Sequence, residues 1–314
     1  MSDKTPNSQN DTVIQALLDN SQLFPAKFLS FFSDIPSDDL EQVKKIWPKV
    51  ALERKISLLA DLEEMMEADP LLSCDGLGKV ALNDDFPEVR SSAISLLYEC
   101  DDPKLASLFG EMLENDESEL VQTTAAAALG KFVLLGELEE IPSHAANRTI
   151  KALTAKLNLK PFKELHQELV KSLAYSSRPE IATLIEKARL DPDPSWQLAA
   201  IIAMGRSADS RWEKPILQMI QSDNPDYKKE AVKAAGELEL SSARAILLQM
   251  LEDEVDDGEL RLVIIWALSK IGGENVKSVL QNLLDDTGDE EEVEAIEMAL
   301  EALDFSSELP DLDF

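Results

Sequence analysis

Histidine is nearly missing from this 314-residue sequence, which contains only His144 and His166. Protein sites that hold iron or zinc are built largely from histidine, cysteine and carboxylate side chains, and histidine also performs much of the proton transfer in enzymes. Two histidines that lie far in sequence from any cluster of such residues are not expected to form a reaction centre. The sequence therefore predicts a protein with no catalytic residues, no metal site and no cofactor.

Cysteine and glycine are also scarce. Cys74 and Cys100 are too few for a disulfide framework, and neither has a histidine close in sequence to act as its base. We therefore expect both to be free thiols that pack inside a protein of a reducing compartment. The 11 glycines form neither a phosphate-binding loop nor a dinucleotide-binding fingerprint.

Positive charge is in short supply, with 30 basic against 61 acidic residues and a formal net charge of −31. Nucleic acids and anionic membranes need Lys and Arg to neutralise their phosphates, so both are disfavoured as partners. Two interpretations of the acidity stay open. It keeps a long, apolar-cored chain in solution, or it steers the protein toward a basic partner.

Long apolar runs are missing too. No stretch reaches the roughly 18 apolar residues of a membrane-spanning helix, and the most apolar early stretch, Leu23 to Ile35, is interrupted by Pro25, Lys27 and Asp34. Met1 to Asp11 is polar and lacks a basic start followed by an apolar segment, so it predicts no signal peptide. These features predict a cytoplasmic protein.

Alanine, leucine and glutamate are abundant, which favours helix, and they are arranged in a repeat. The clearest copies have a small residue, four further positions and then glycine: Ala125–Gly130, Ala200–Gly205, Ala231–Gly236 and Ala267–Gly272. Weaker copies begin at Ile56, Ala93, Val170 and Ala299. Successive copies start 30 to 45 residues apart, which fits two short helices and two turns.

Each part of the repeat has a physical reason. The small first residue lets two helices approach closely, and the glycine is expected to end the first helix because it adopts a left-handed backbone at little cost. Upstream clusters such as Asp191–Pro194 and Asp223–Asp226 provide helix caps and a first-turn proline. An amphipathic segment such as Val276–Leu283 follows. One such helix pair cannot bury its apolar stripe alone, so neighbouring pairs must stack.

The segment Asp85-Phe86-Pro87-Glu88-Val89-Arg90-Ser91-Ser92-Ala93 resembles the capped start of HEAT-like repeats, in particular the class first associated with phycobilisome lyases. Gln122, Lys228 and Glu294 occupy or neighbour the arginine position of that pattern in other copies. The resemblance covers roughly residues 51–305. It implies an all-α fold, an α-solenoid that forms a right-handed superhelix of about eight helix pairs.

The resemblance specifies a fold rather than a function, because the same stack serves many tasks. The HEAT-like metalloenzyme deoxyhypusine hydroxylase holds iron through several His-Glu pairs, whereas His166-Gln167-Glu168 is the nearest approach to such a pair here. HEAT-like DNA glycosylases need a basic groove, which the acidic composition disfavours. The name of the repeat class implies an alternative: a phycobilin-lyase-like or chaperone-like accessory protein for a tetrapyrrole-bearing protein.

The repeat pattern divides the chain into four expected parts: a disordered N-terminus (1–10), a helical N-terminal cap (11–50), the HEAT-like solenoid (51–305) and an acidic C-terminal tail (306–314). The longest step between copies indicates an insertion around Glu137 to Leu159, and predicts an additional helix near Asn147–Leu157. The tail is interpreted as a frayed end or as a short docking motif for another protein.

Arginine and aromatic side chains mark the candidate contact surface, since both are enriched where proteins bind one another. Five of them lie at equivalent loop positions of neighbouring repeats: Tyr175, Arg178, Arg206, Arg211 and Trp212. We expect these residues to bind a protein partner along one edge of the stack. The alternative is that Trp212 packs between repeats and the arginines pair with neighbouring carboxylates.

Two acidic stretches, 252–257 and 285–292, form a second candidate surface. Helix capping explains part of their charge, and the excess could attract a basic protein. Together, these features predict a non-catalytic scaffold or adaptor that offers concave and loop-edge surfaces to a protein partner and binds no nucleic acid or membrane.

Overall fold

The computed structural model describes residues 8–69, 71–100, 102–253 and 257–308, and every regular element within them is helical. The chain separates into two compact units, the first ending at Ser172 and the second beginning at Leu173. One helix, α9 (Lys163–Leu173), reaches from the last residues of the first unit to the first residue of the second.

Helices of the first unit alternate between two layers. They are α1 (Ser8–Leu18), α2 (Ser37–Ile46), α3 (Leu52–Ala68), α4 (Asp75–Ala81), α5 (Pro87–Leu96), α6 (Pro103–Asn115), α7 (Glu119–Glu137) and α8 (Ser143–Asn158). In one layer α3 packs against α5 and α5 against α7, while α4, α6 and α8 lie in the other and pack on the first. A short 3-10 helix, Ala26–Phe32, contacts α3.

Helices of the second unit repeat this arrangement. They are α10 (Pro179–Arg189), α11 (Pro194–Arg206), α12 (Glu213–Ile220), α13 (Pro225–Glu237), α14 (Arg244–Glu252), α15 (Gly258–Ile271), α16 (Val276–Asp286) and α17 (Glu290–Glu308). Here α11, α13, α15 and α17 pack in succession, and each even-numbered helix packs on the helix that follows it. The prediction of an all-α solenoid of helix pairs is therefore confirmed within each unit.

The repeat pattern locates the packed layer correctly. Each of the eight predicted copies begins inside one of the odd-numbered helices from α3 to α17. The first residues of seven copies are buried: Ala93, Ala125, Val170, Ala200, Ala231, Ala267 and Ala299. Burying a small side chain at this point brings the backbones of successive helices together, because little volume separates them.

The explanation of the repeated glycine was wrong for three copies. Gly130, Gly205 and Gly236 lie inside helices, and only Gly272 ends its helix with a positive φ, +56°. The three helical glycines instead allow close approach: a Cβ on Gly236 would lie 2.9 Å from the Cα of Ala267. Glycine is therefore needed at these positions because the neighbouring helix leaves no room for a Cβ, and not because the backbone has an unusual conformation.

The turns that follow these helices use other residues. Ala208 and Glu239, each three positions after a repeat glycine, have φ of +49°. A left-handed residue at this point is a common way to end a helix, although glycine is the usual occupant. In these repeats the glycine allows close packing, and a residue three positions later adopts the left-handed conformation that the sequence pattern had assigned to the glycine.

The prediction that an insertion adds a further helix was also wrong. The insertion adds no helix, because the additional residues lengthen an ordinary pair: α7 has 19 residues and α8 has 16, whereas α5 has 10 and α6 has 13. Helix α8 covers the segment near Asn147–Leu157 where a helix was predicted, and it packs on α7 and α6. Of the expected ends of the chain, residues 1–7 and 309–314 lie outside the described residues, while α1 begins at Ser8 and α17 extends to Glu308.

Polar side chains stabilise the start of several packed helices. Arg90 donates two hydrogen bonds of 2.8 Å to the carboxylate of Asp116 and a third, also 2.8 Å, to the carbonyl of Asp84. Gln122 and Gln197, at equivalent positions, donate to the carbonyl six residues earlier at 2.6 and 2.9 Å. Glutamine thus retains the carbonyl contact of the arginine and loses only the ion pair.

A buried ion pair also connects α3 to the turn before α5. The Nζ of Lys55 lies 2.6 Å from Oδ2 of Asp84, and both side chains are at most 3% exposed. The ammonium also lies 5.4 Å from the ring centroid of Trp47 and 5.5 Å from that of Phe86. Such a pair holds two elements in register, because either charge alone would be costly at this depth.

Replacing Gly236 with alanine should lower the free energy of unfolding by about 1–3 kcal/mol, the usual cost of overpacking. Urea denaturation of purified protein measures this change. Gly110→Ala is the matched control: Gly110 lies within α6, and a methyl group added there would meet no described atom within 4 Å, so alanine should raise stability by up to about 1 kcal/mol. Equal effects of the two substitutions would contradict the close-approach explanation.

Asp84→Asn should lower the free energy of unfolding by about 3–5 kcal/mol, because it leaves the Lys55 ammonium buried without a carboxylate. Adding Lys55→Met should recover part of the loss. Glu41→Gln removes a carboxylate from an exposed pair with Lys44 and should change the urea midpoint little. An Asp84→Asn protein as stable as Glu41→Gln would show that the buried pair is dispensable.

Candidate functional site

All five predicted contact residues lie in the second unit, where they form two groups. In the first group, the guanidinium of Arg206 lies 5.1 Å from the ring centroid of Tyr175. Arg206 is the last residue of α11, and Tyr175 lies in the turn before α10. Both are partly exposed. This cation–π pair presents a flat, charged surface beside the turn.

Arg206 also faces a carboxylate of the next packed helix. Glu237, at the end of α13, is exposed as a whole, but its Oε2 occupies the space that a Cβ of Gly205 would take. Burial of this carboxyl raises the pKa of Glu237, while the charges of Lys233 and Arg206 oppose the rise. Arg206 therefore helps to keep a crowded carboxylate ionised in addition to contacting Tyr175.

The second group is built around the short 3-10 helix Ser210–Trp212. Asp209 caps it: its carboxylate accepts the backbone N–H of Arg211 at 3.0 Å and pairs with the guanidinium of the same residue at 2.6 Å. Trp212 is only 4% exposed, and its Nε1 is buried without a hydrogen-bond acceptor among the described residues. Burial favours the alternative interpretation of Trp212, in which its ring packs inside the unit.

A groove of about 860 Å³ lies between α10 and the start of α12. Trp212 contributes to its floor, and Lys187 and Arg211 to its edges. Leu190, which is 65% exposed, also lines it. We call this the Trp212 groove. A smaller cavity of about 50 Å³, lined by Arg178, shares Ala182, Arg211 and Trp212 with it.

Two of the charged side chains that line the Trp212 groove form an ion pair with each other. Arg189 and Glu186 make two hydrogen bonds, of 2.8 and 2.7 Å. These bonds raise the pKa of Arg189 and lower that of Glu186, so both remain ionised. Lys187 is exposed, and Arg211 is also exposed although it pairs with Asp209, so these two cations can meet a partner's acceptor groups.

The first unit contains a groove that the sequence did not reveal. It has a volume of about 810 Å³ and is lined by residues of α3, α5 and α7, by the first residue of α4 and by the segments that follow α3 and α5. Four carboxylates line it: Glu63, Glu67, Asp75 and Glu99. We call this the acidic groove. Its carboxylates are scattered over 37 positions of the sequence, and only the four-residue spacing of Glu63 and Glu67 on one helix face could have indicated it.

Two of these carboxylates lie close enough to influence each other. Burial, and secondly the charge of Glu67, raise the pKa of Glu63. At the other side of the groove, Tyr98 is 41% exposed and stacks with Lys131, whose Nζ lies 5.6 Å from the ring centroid. The groove therefore has one edge where burial and a like charge disfavour an ionised carboxylate, and another edge formed by an aromatic ring.

Cys100 also lines the acidic groove, and its thiol donates a hydrogen bond of 2.6 Å to Oδ2 of Asp75. Burial and this hydrogen bond raise the pKa of Cys100. Cys74 is fully buried, and burial raises the pKa of its thiol to about 11. Both cysteines are free, as predicted, and neither environment generates the thiolate that a nucleophile needs.

The two histidines line neither groove, and His144 is exposed. Among the described residues, no three His, Cys, Asp or Glu side chains are grouped so as to hold a metal ion. Nor is any described helix both long enough and apolar enough to cross a membrane.

Each acidic stretch contributes a cap to the start of a helix. The carboxylate of Asp289 accepts the backbone N–H groups of Glu291 and Glu292, and Glu292 pairs with Arg261. Asp257 accepts the N–H of Leu260 at the start of α15. Residues 254–256 of the other stretch lie outside the described residues. Capping therefore accounts for Asp257 and Asp289, and an ion pair accounts for Glu292.

Comparison with known proteins gives one family match. The family model described as HEAT repeats matches residues 74–146 and 213–301, slightly more than half of the chain. None of the curated proteins matches this sequence.

Several solved structures are similar in fold. The X-ray structure of the YibA protein of Escherichia coli is 14% identical, with 91% of this chain and 98% of that chain covered and a TM-score of 0.42. An engineered protein is 17% identical, with 94% and 88% covered and a TM-score of 0.39. Human deoxyhypusine hydroxylase in complex with glycerol is 15% identical, with 95% and 96% covered and a TM-score of 0.37.

Thiol reactivity provides a test of the cysteine environments. With a pKa of about 11, on the order of one Cys74 thiol in a thousand is ionised at pH 8. Modification by a chromogenic disulfide reagent should therefore be at least about tenfold slower in the native protein than in urea. Cys74→Ser and Cys100→Ser variants assign the two phases. A native cysteine that reacts as fast as the unfolded chain would reveal an activated thiol.

Proposed function

This chain belongs to the HEAT repeat family, and from that premise we propose that it is a non-catalytic scaffold that binds a protein partner. HEAT repeats generally mediate interactions between proteins. Their preformed surfaces bind without large ordering costs. The excess of 61 acidic over 30 basic residues supports a protein rather than a nucleic acid as the partner, and two free thiols support a reducing compartment such as the cytoplasm.

The observation that carries this proposal is the Trp212 groove. An exposed apolar side chain, Leu190, lies beside two exposed cations, Lys187 and Arg211. Contact sites between proteins commonly combine an apolar centre with a polar rim, and arginine is enriched at their energetic centres. Trp212 supports the groove from below, since it is buried, and Arg178 lines the adjoining cavity.

Tyr175 and Arg206 extend the proposed contact surface. Tyr175 lies in the turn before α10, which borders the Trp212 groove. Arg206 ends α11, the helix before the short segment that contains Arg211 and Trp212. An aromatic ring held by a guanidinium is a rigid contact, which loses little conformational freedom on binding. The Arg206 charge is needed by Glu237 as well, so it is poorly suited to charge reversal.

Charge reversal at Lys187 and Arg211 therefore tests the proposal. Lys187→Glu/Arg211→Glu should lose, by at least about tenfold, the proteins that the wild type retains in affinity capture from its native host, because the groove would repel the same acceptor groups. Quantitative mass spectrometry measures retention. Both side chains are exposed, so the melting temperature should change by only a few degrees.

The control variant is Lys151→Glu/Lys270→Glu, which makes the same change in net charge at exposed lysines away from the groove. It should retain the captured proteins. Equal retention by all three proteins, or equal loss from both variants, would remove the Trp212 groove from the proposed function. The phycobilin-lyase-like alternative stays a prediction from the resemblance to that repeat class.

A further inference from the structure

A second surface supports a separate inference, which rests on the proposed scaffold function. We propose that the acidic groove of the first unit binds a basic amphipathic segment of a partner protein. In this complex, apolar side chains of the segment lie on the groove floor, while its Lys or Arg side chains meet the carboxylates of Glu63 and Glu67. The Trp212 groove and the acidic groove would then contact different parts of the partner.

The floor of the acidic groove is apolar because α7 is rich in small residues. Thr124, Ala127 and Ala128 line the groove from α7, while Met66 and Ile94 line it from α3 and α5. Small side chains on one helix between larger ones on its neighbours leave a depression, since the backbones are already in packing contact. A volume of about 810 Å³ is large enough for several apolar side chains of a peptide.

The edges of the groove carry four carboxylates, and two of them have a lysine as an ion-pair partner. Lys79 lies 3.4 Å from the carboxylate of Asp75, and Lys131 lies 3.7 Å from that of Glu99. In contrast, Glu63 and Glu67 lie four residues apart on α3, an arrangement of like charges that destabilises a helix. A cation from a partner would remove this repulsion, so these two carboxylates are the best placed to receive it.

The charge of the acidic groove indicates which kind of segment binds in it. Within the described part of the chain, no Lys or Arg side chain lines the groove, so an anionic segment would gain no cation there and would be repelled by the carboxylates of Glu63 and Glu67. The net charge of −31 also accelerates the approach of a basic partner at low salt. An apolar floor without the carboxylates would accept any hydrophobic segment, whereas the combination favours one that is basic and amphipathic.

Binding of defined peptides tests this inference with the full-length protein. The probe is a fluorescent 18-residue peptide of Leu and Lys spaced so that a helix carries one apolar face. A peptide with Glu in place of Lys, and one of identical composition but without an apolar face, serve as controls. Fluorescence anisotropy should show the strongest binding for the amphipathic Lys probe, and this binding should weaken as salt is added.

Glu63→Gln/Glu67→Gln should weaken binding of the Lys probe about tenfold, since two charge contacts are lost. Glu297→Gln/Glu301→Gln is the matched control: it removes two exposed glutamates with the same four-residue spacing from α17 and should leave the affinity within about twofold. Equal weakening by both variants would show that the probe responds only to net charge, and would overturn the proposal.

Filling the floor provides an independent measurement. Ala127→Phe places a large side chain on the partly exposed groove surface of α7 and should also weaken binding of the Lys probe about tenfold, with an unchanged helical circular dichroism spectrum. If binding persists in this variant, the probe does not occupy the groove, and the inference fails. Failure here leaves the capture result at Lys187 and Arg211 untouched, so the two proposals can be distinguished.

Discussion

Close contact between the backbones of successive packed helices is the constraint on which the structure depends. Gly205 meets Ala234, and Gly236 meets Ala267, at distances that would leave a Cβ on either glycine only 2.9 Å from the neighbouring Cα. Such contact sets both the separation and the rotation of each helix relative to the next. Side chains in the following turn are then placed in nearly the same way in each repeat.

This spacing explains how the two grooves arise. After α11 the chain turns at Ala208, with φ of +49°, and enters the short helix that buries Trp212. Burial of that indole directs the adjacent Arg211 outward, where it is exposed. In the first unit the same preference for small residues acts on α7, and it leaves the depression above Ala127 and Ala128 that becomes the floor of the acidic groove.

Local pattern was sufficient to predict the helices, the pairing and the buried first residues of the repeats, because these depend on spacing along the chain. It assigned the wrong reason to Gly130, Gly205 and Gly236, since a helical glycine and a helix-ending glycine look alike in sequence. Arg178, Arg211 and Trp212 line one small cavity, and local pattern could not establish that Trp212 is buried. The acidic groove was missed because its carboxylates become neighbours only after α3, α5 and α7 pack.

The distribution of charge connects the fold with its proposed use. Many carboxylates of this protein have structural partners, as Asp84 has Lys55, Asp116 has Arg90 and Glu292 has Arg261. Solubility alone would be served by placing the remaining charges far apart. Glu63 instead lies in a groove beside Glu67, where burial raises its pKa. A cation from the proposed partner would offset the cost of keeping this carboxylate beside a like charge.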